Sequence, residues 1–205
     1  MVRGIEGRDI FRDDADRKAF VERIRSLAKE TGTRILAWAL MDNHLLIVSG
    51  PDGLSTFMRR LLTGYGIGFN RKHRRFGHLF QNRYKSIICD LDTYLLELVR
   101  YLHLNPLRGG LVKNLEELED YRWCGHGILT GKQKNDWQER DFVLGFFGSK
   151  GSKAVRAYRE WVEAGKDLGH RPELVGGGLI RSMGGGHKFY LCKRRASRRL
   201  MMSGS

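Results

Sequence analysis

Arg34-Ile-Leu-Ala-Trp-Ala-Leu-Met-Asp-Asn-His-Leu-Leu-Ile-Val-Ser49 is the stretch that decides the fold, because two apolar runs flank a short polar turn in it. Residues 34–40 and His44–Ser49 are rich in side chains that favour strands. The intervening Met-Asp-Asn supplies residues that favour a turn. We therefore predict an antiparallel hairpin at the centre of the fold.

Amphipathic segments flank this hairpin. Before it, an apolar stripe follows Asp13 and Asp14 and stops at Gly32, which is the pattern of a helix with acidic N-terminal residues and a glycine stop. After it, residues 54–71 carry apolar side chains at helical spacing. Residues 80–89 are predicted to form another strand.

The next segment contains groups that can do chemistry. Apolar residues at helical spacing predict a helix over residues 93–105, which Pro106 is expected to end. Tyr101 and Asn105 are four residues apart and therefore share one face of that helix. A tyrosine held beside a metal ion can attack a phosphodiester and become joined to the strand end. A half-buried structural tyrosine is the alternative.

Asp42 and His44 are candidate metal ligands at the start of the second predicted strand. Residues two apart in a strand share a face, so both can meet one ion. Oxygen and imidazole ligands suit Mg²⁺ or Mn²⁺ in phosphate chemistry. The alternative is a histidine with no ligand role.

The charge of the chain is concentrated in two segments. Lys and Arg number 37 against 23 Asp and Glu, which gives a formal net charge of +14 over 205 residues. Residues 54–89 hold eight basic and no acidic residues, and residues 174–205 hold seven and none. The remainder is close to neutral. Such segments indicate a polyanionic partner, most simply nucleic acid, whereas a solvated basic face is the alternative.

The segment 70–85 mixes cations with aromatic and amide side chains. Cations neutralise phosphates, while Phe76, Phe80 and Tyr84 offer faces on which unpaired bases can stack. The candidate DNA-binding residues are Arg59, Arg60, Arg71, Lys72, Arg74, Arg75, His78, Gln81, Arg83 and Lys85. An exposed hairpin with a solvated run of charge is the alternative.

The cysteine pattern and the hydropathy bear on location. The three cysteines form no paired motif, which is typical of a reducing compartment. No apolar run approaches the roughly 18 residues of a membrane span. We expect a cytoplasmic protein with no membrane partner. Residues 1–114 are predicted to form the main domain, residues 115–182 a helical C-terminal extension, and residues 183–205 a disordered basic tail.

Four motifs, taken in order, resemble those of the single-tyrosine HUH transposases, in particular the branch with the REP-associated tyrosine transposases. They are Asn43-His44 before an apolar strand, Leu54-Ser-Thr-Phe-Met-Arg-Arg-Leu61, Gly77-His-Leu-Phe-Gln-Asn-Arg-Tyr-Lys-Ser86 and Arg100-Tyr-Leu-His-Leu-Asn-Pro-Leu-Arg108. The resemblance implies an α/β fold with a ferredoxin-like antiparallel sheet and helices. It also implies that Tyr101 attacks single-stranded DNA beside a hairpin and forms a 5′-phosphotyrosine, with Mg²⁺ or Mn²⁺ held by His44 and Asn105.

One departure from the family motif affects the metal ligands. The family has Asn-His-x-His-Leu-Leu, whereas this chain has Asn43-His44-Leu45-Leu46, so one histidine is absent. If His44 is the inner histidine, Asp42 falls at the outer position and the ligands become Asp42, His44 and Asn105.

Three functions stay open at this point. The first is a transposase-like strand transferase with a weakly bound metal. The second is a catalytically inactive remnant, from a degenerate copy, that still binds hairpin DNA. The third is a basic RNA-binding protein. A monomer or a homodimer is expected.

Overall fold

The chain builds a small antiparallel sheet between layers of helices. The computed structural model describes residues 1–49, 53–81, 84, 93–148 and 151–169. The strands are β1 (Val2–Arg3), β2 (Ile35–Met41) and β3 (His44–Ser49), with β3 between the other two. The α-helices are α1 (Asp14–Thr31), α2 (Leu54–Lys72), α3 (Thr93–His103), α4 (Asn105–Arg108), α5 (Leu115–Asp120), α6 (His126–Thr130), α7 (Arg140–Leu144) and α8 (Ser152–Glu163).

The predicted hairpin is present, with its turn at Asp42 and Asn43. Met41 pairs with His44, and the pairing continues to Ile35 opposite Ser49. The N-terminal segment holds the turn in place, because the backbone N–H groups of Gly4 and Ile10 donate to the carbonyls of the two turn residues at 2.8 and 2.9 Å.

The first helix begins and ends at the predicted signals. The Asp13 side chain accepts a hydrogen bond from the Asp16 N–H at 2.7 Å, which satisfies a donor of the first turn. Gly32 follows the last turn with φ of 67°, a left-handed conformation that glycine adopts without strain.

Helix α3, which carries Tyr101, differs from the prediction at its C-terminal end. Helix α3 stops at His103, two residues earlier than predicted, and α4 starts at Asn105. Pro106 lies in the first turn of α4, where the missing N–H of a proline removes no intrahelical hydrogen bond. The proline therefore opens a new short helix.

Strand β2 separates two hydrophobic cores. Trp38 and Leu40 pack with α1 and α2 in what we term the first core. Ala37 and Ala39 pack with α3 and the later helices in what we term the second core. The alternation follows from the two-residue period of a strand. All seven residues of β2 are buried because helices cover both of its faces.

Residues beyond 114 share the structure of the main domain. The Leu40 N–H donates to the Trp123 carbonyl and the Gly125 N–H to the Trp38 carbonyl, both at 2.9 Å, and the Glu139 N–H donates to Ile35 at 2.8 Å. These bonds cover the edge of β2 that β3 leaves open. Within the described residues up to 169, the segment predicted to be a helical C-terminal extension thus supplies the sheet edge and much of the second core.

Several predictions fall largely outside the described residues. Of the predicted strand over residues 80–89, Phe80 forms an isolated bridge with Gly4, and residues 85–89 are not described. The predicted tail, residues 183–205, is also outside the described ranges. The ferredoxin-like arrangement accordingly stays a prediction. Within the described ranges, every helix is too short or too polar to cross a membrane.

Candidate nucleic-acid interface

The basic segment begins with a well-braced turn at the C-terminal end of α2. Arg74 and Gly77 both have positive φ, 50° and 83°, so the chain reverses sharply after the helix. The Asn70 side chain donates to the Gly77 carbonyl at 2.8 Å, and the Asn70 carbonyl accepts from the Arg75 N–H at 2.9 Å. The helix end thereby holds the turn by both backbone and side chain.

This turn presents one aromatic ring to solvent. Phe76 is 96% exposed, the largest exposure of any large apolar side chain in the described part of the chain. The other two predicted stacking residues, Phe80 and Tyr84, pack against the first core. Phe76, which follows two arginines on a braced turn, is therefore the one ring of the three that is free to stack on an unpaired base.

Three of the candidate DNA-binding cations already have protein partners. Arg60 pairs with Glu30 at 2.5 Å. The Lys72 ammonium donates to Asp13 and Asp16 at 2.8 and 2.7 Å. Arg75 folds back over the Phe69 ring, with 5.9 Å between its guanidinium carbon and the ring centroid. Sequence alone could not separate Arg60 and Lys72 from the others, because their carboxylate partners lie 30 or more positions away in the chain.

Three other arginines are available. Arg59, Arg71 and Arg74 are exposed and have no hydrogen bond or ion pair with any other described residue. On α2, Arg59, Thr63, Ile67 and Arg71 follow one another at four-residue spacing, so they form an exposed ridge about 18 Å long. The ridge ends beside the turn that carries Arg74 and Phe76. We call Arg59, Arg71, Arg74 and Phe76 the α2 track.

The remaining candidates follow the turn. His78 and Gln81 are exposed, and the Gln81 N–H donates to the Arg3 carbonyl at 3.0 Å, which fixes its backbone against β1. Arg83 and Lys85 lie outside the described residues.

The candidate nucleophile lies under an arginine. Tyr101 is 7% exposed, so most of its side chain is buried. The Arg108 guanidinium carbon is 5.2 Å from the centroid of the Tyr101 ring, and Arg108 Nη1 donates to the Tyr101 carbonyl at 3.3 Å. Its Nη2 donates to the Gly165 carbonyl at 3.2 Å, which ties the segment after α8 to the same arginine. The sequence had not assigned a role to Arg108.

The candidate metal ligands have different partners in the structure. The Asn105 amide donates to the carbonyls of Tyr101 and Leu102 at 3.0 and 3.4 Å, and so caps the end of α3. The Asp42 carboxylate pairs with Arg17 of α1 at 2.5 Å. The backbone of His44 pairs with Met41 and Arg3, and its side chain is not described. The Asp42 carboxylate and the Asn105 amide nitrogen are thus both engaged by protein partners, and a metal site formed by Asp42, His44 and Asn105 stays a prediction.

One other group in the described ranges could meet a cation. Ligand atoms of Asp13, Asp16 and His73 lie within 4.8 Å of one another. Burial would raise the pKa of Asp16, but hydrogen bonds from Lys72, the Arg12 N–H and His73 outweigh it, so this pKa is lowered. The Lys72 ammonium already bonds both carboxylates, and Mg²⁺ or Mn²⁺ would have to displace it. The group fits an ion-pair cluster that anchors the end of α2 better than a metal site.

Comparisons with known proteins were made at three levels. No protein-family model, no curated protein and no solved structure matches the chain.

Proposed function

We propose that this protein binds single-stranded or hairpin DNA through the α2 track. The observation that carries the proposal is Phe76, which is 96% exposed on a turn that Asn70 braces and that also carries Arg74. An exposed aromatic ring among cations suits a strand whose bases are unpaired, because the ring stacks on a base while the cations bind phosphates. The loop and the flanks of a DNA hairpin offer such bases beside a duplex.

The sequence motifs support DNA as the nucleic acid. The resemblance to single-tyrosine transposases covers α2, the turn and the tyrosine helix, and it implies a DNA hairpin as the ligand. A structured RNA presents the same phosphates and unpaired bases, so discrimination between the two has to be measured.

The experiment that tests the proposal replaces Phe76 with alanine. Stacking of a base on an aromatic ring contributes about 1–3 kcal/mol, so Phe76→Ala should weaken binding to hairpin DNA about 5- to 150-fold. Fluorescence anisotropy with a labelled hairpin, a fully paired duplex and a structured RNA measures the effect. The hairpin should lose the most affinity.

Phe146→Ala is the matched control, because Phe146 is also exposed, at 36%, but follows α7 on the side of the second core. It should leave the affinity for the hairpin unchanged. Equal affinity of Phe76→Ala and the unmodified protein would contradict the proposal. Preference for the RNA over the DNA hairpin would assign the track to RNA binding.

We further propose that binding is the main activity and that strand cleavage is slight or absent. Tyr101 is mostly buried, and Asp42, the substitute for the absent histidine, is paired with Arg17. With Mg²⁺ we therefore expect no covalent adduct between the protein and a hairpin substrate on a denaturing gel, and at most traces with Mn²⁺.

Efficient formation of an adduct with Mg²⁺ would contradict this expectation. Tyr101→Phe then identifies the nucleophile, since it removes the one hydroxyl that the sequence assigns to the attack. Loss of the adduct in Tyr101→Phe, with hairpin binding kept within about threefold, would establish a tyrosine transferase. The binding proposal is unaffected by either result, because anisotropy measures it separately.

A further inference from the structure

A chain of two hydrogen bonds lies inside the second core, whereas the α2 track borders the first core. The Tyr158 hydroxyl is 2.9 Å from Nδ1 of His103 and 2.8 Å from Nδ1 of His126. All three side chains are buried, with exposed fractions of 0% for His103 and Tyr158 and 2% for His126. His103 ends α3, His126 begins α6 and Tyr158 lies in α8, so this chain joins three helices.

The chemistry of one hydroxyl fixes the protons of both imidazoles. A hydroxyl has a single hydrogen, so it donates to Nδ1 of one histidine and accepts the Nδ1–H of the other. Both rings are neutral in this arrangement. If the ring whose Nδ1 accepts from the hydroxyl took up a proton there, both Nδ1–H groups would point at the same hydroxyl oxygen. The hydroxyl hydrogen would then have no acceptor.

The two imidazoles differ in their surroundings. His126 lines a cavity with charged groups of both signs, which are the carboxylates Glu116, Glu119, Asp120 and Glu163 and the cations Lys132 and Arg159. His103 Nε2 has no hydrogen-bond partner among the described residues, so a proton there would be a buried and unpaired N–H. The Cys124 thiol lies 3.8 Å from the His103 carbonyl, and burial raises its pKa to about 12, so it stays neutral. Among the carboxylates of this cavity, Glu119 is bonded twice to Arg159, and Arg159 itself opposes a charge on His126.

We propose that the His103–Tyr158–His126 chain is an acid-sensitive lock that holds α6 and α8 against α3. Protonation of either imidazole opens the second core, while the first core stays folded. The first core has its own aromatic packing, in which Phe20 meets Phe11 and Tyr65 edge to face at 5.3 and 4.7 Å. His73, which borders it, lies beside the Asp16 carboxylate, and Asp13 and Lys72 belong to the same cluster.

The direction of the pH dependence follows from the two histidines of the lock. Burial lowers the pKa of His126 to about 4 and places that of His103 well below its usual value of 6.5. In the open form the two histidines regain the ordinary pKa of 6.5, so between pH 6.5 and about 4 the open form binds more protons than the closed form. The closed form therefore loses stability as the pH falls below about 6.5. The lowered pKa of His126 alone should raise the ratio of open to closed protein about thirtyfold when the pH falls from about 7.5 to about 5. The lowered pKa of His103 adds to this change.

Hydrogen exchange of the full chain, followed by mass spectrometry at about pH 7.5 and pH 5, tests the lock. After correction for intrinsic exchange rates, protection in α6 and α8 should fall by about thirtyfold or more at the lower pH, whereas α1 and α2 should change much less. Loss of protection in α1 and α2 in step with α8 would overturn the proposal. Unchanged protection in α6 and α8 would overturn it as well.

Two variants assign the effect to the buried histidines. His126→Asn keeps an amide that can donate to Tyr158 but does not titrate, so it should remove about thirtyfold of the acid response. His73→Gln removes a histidine of the other core and should leave the response of α8 as it is. A full response in His126→Asn, or its loss in His73→Gln, would contradict the lock. If His126→Asn does not fold, the comparison of helices in the unmodified protein still decides the question.

Discussion

Replacing Tyr158 with phenylalanine is expected to lower the free energy of unfolding by about 2–6 kcal/mol at neutral pH. The hydroxyl is the hydrogen-bond partner of two buried imidazole nitrogens, His103 Nδ1 and His126 Nδ1. Each buried polar group that loses its partner costs about 1–3 kcal/mol. The substitution leaves the apolar ring in place, so the loss arises from hydrogen bonding rather than from a cavity. Urea denaturation followed by circular dichroism measures the change.

Tyr65→Phe provides the matched control for this prediction. Tyr65 is also buried, but its hydroxyl has a single described partner, the Ile10 carbonyl at 2.6 Å. It should therefore lose about half as much, about 1–3 kcal/mol. A loss in Tyr158→Phe no greater than that in Tyr65→Phe would show that the two imidazoles do not depend on the hydroxyl.

Removal of the three available arginines of the α2 track should give the largest change in DNA affinity. Arg59, Arg71 and Arg74 are exposed and have no described protein partner, so each can bind a phosphate. Each phosphate contact with a single strand contributes about 0.7 to the slope of log K against log salt, so the triple alanine variant should reduce the slope by about 2. At about 0.1 M salt this corresponds to roughly hundredfold weaker binding.

The control for this variant makes the same change in net charge elsewhere. Lys113, Lys132 and Lys153 are exposed on or near the helices of the second core. Their replacement by alanine also removes three positive charges, yet it should leave the salt slope nearly unchanged. Anisotropy titrations at several salt concentrations measure both variants. An equal fall in slope for the two triple variants would mean that binding depends on total charge and not on the track.

The sequence places the candidate DNA-binding residues only as a segment. The mixture of cations and aromatic rings over residues 70–85 indicated a nucleic-acid surface, and Phe76 was among the rings proposed for stacking. The sequence could not show that Phe80 and Tyr84 pack against the first core or that Lys72 is tied to Asp13 and Asp16. The Lys72 pairs join residues more than 50 positions apart, and no local pattern encodes them.

The catalytic and metal assignments depend on tertiary structure even more. Tyr101 and Asn105 fall in two successive helices and not in one, and the Asn105 amide reaches the Tyr101 backbone carbonyl. The pairing of Asp42 with Arg17 joins a turn to a distant helix and was not foreseen. The His–Tyr–His lock brings together positions 103, 126 and 158, and no motif in the sequence pointed to it.

The sequence by itself determined the local elements. Asp13 and Gly32 set the ends of α1, and the apolar runs around Asp42-Asn43 set the hairpin, because caps, turns and strand propensity act within a few residues. Tertiary structure decided which groups are exposed, paired or buried. The helices after residue 114 join the sheet edge and enclose the lock, since apolar faces pack wherever complementary surface exists, irrespective of distance along the chain. Burial and partner choice, which determine the chemistry of a side chain, are properties of that packing.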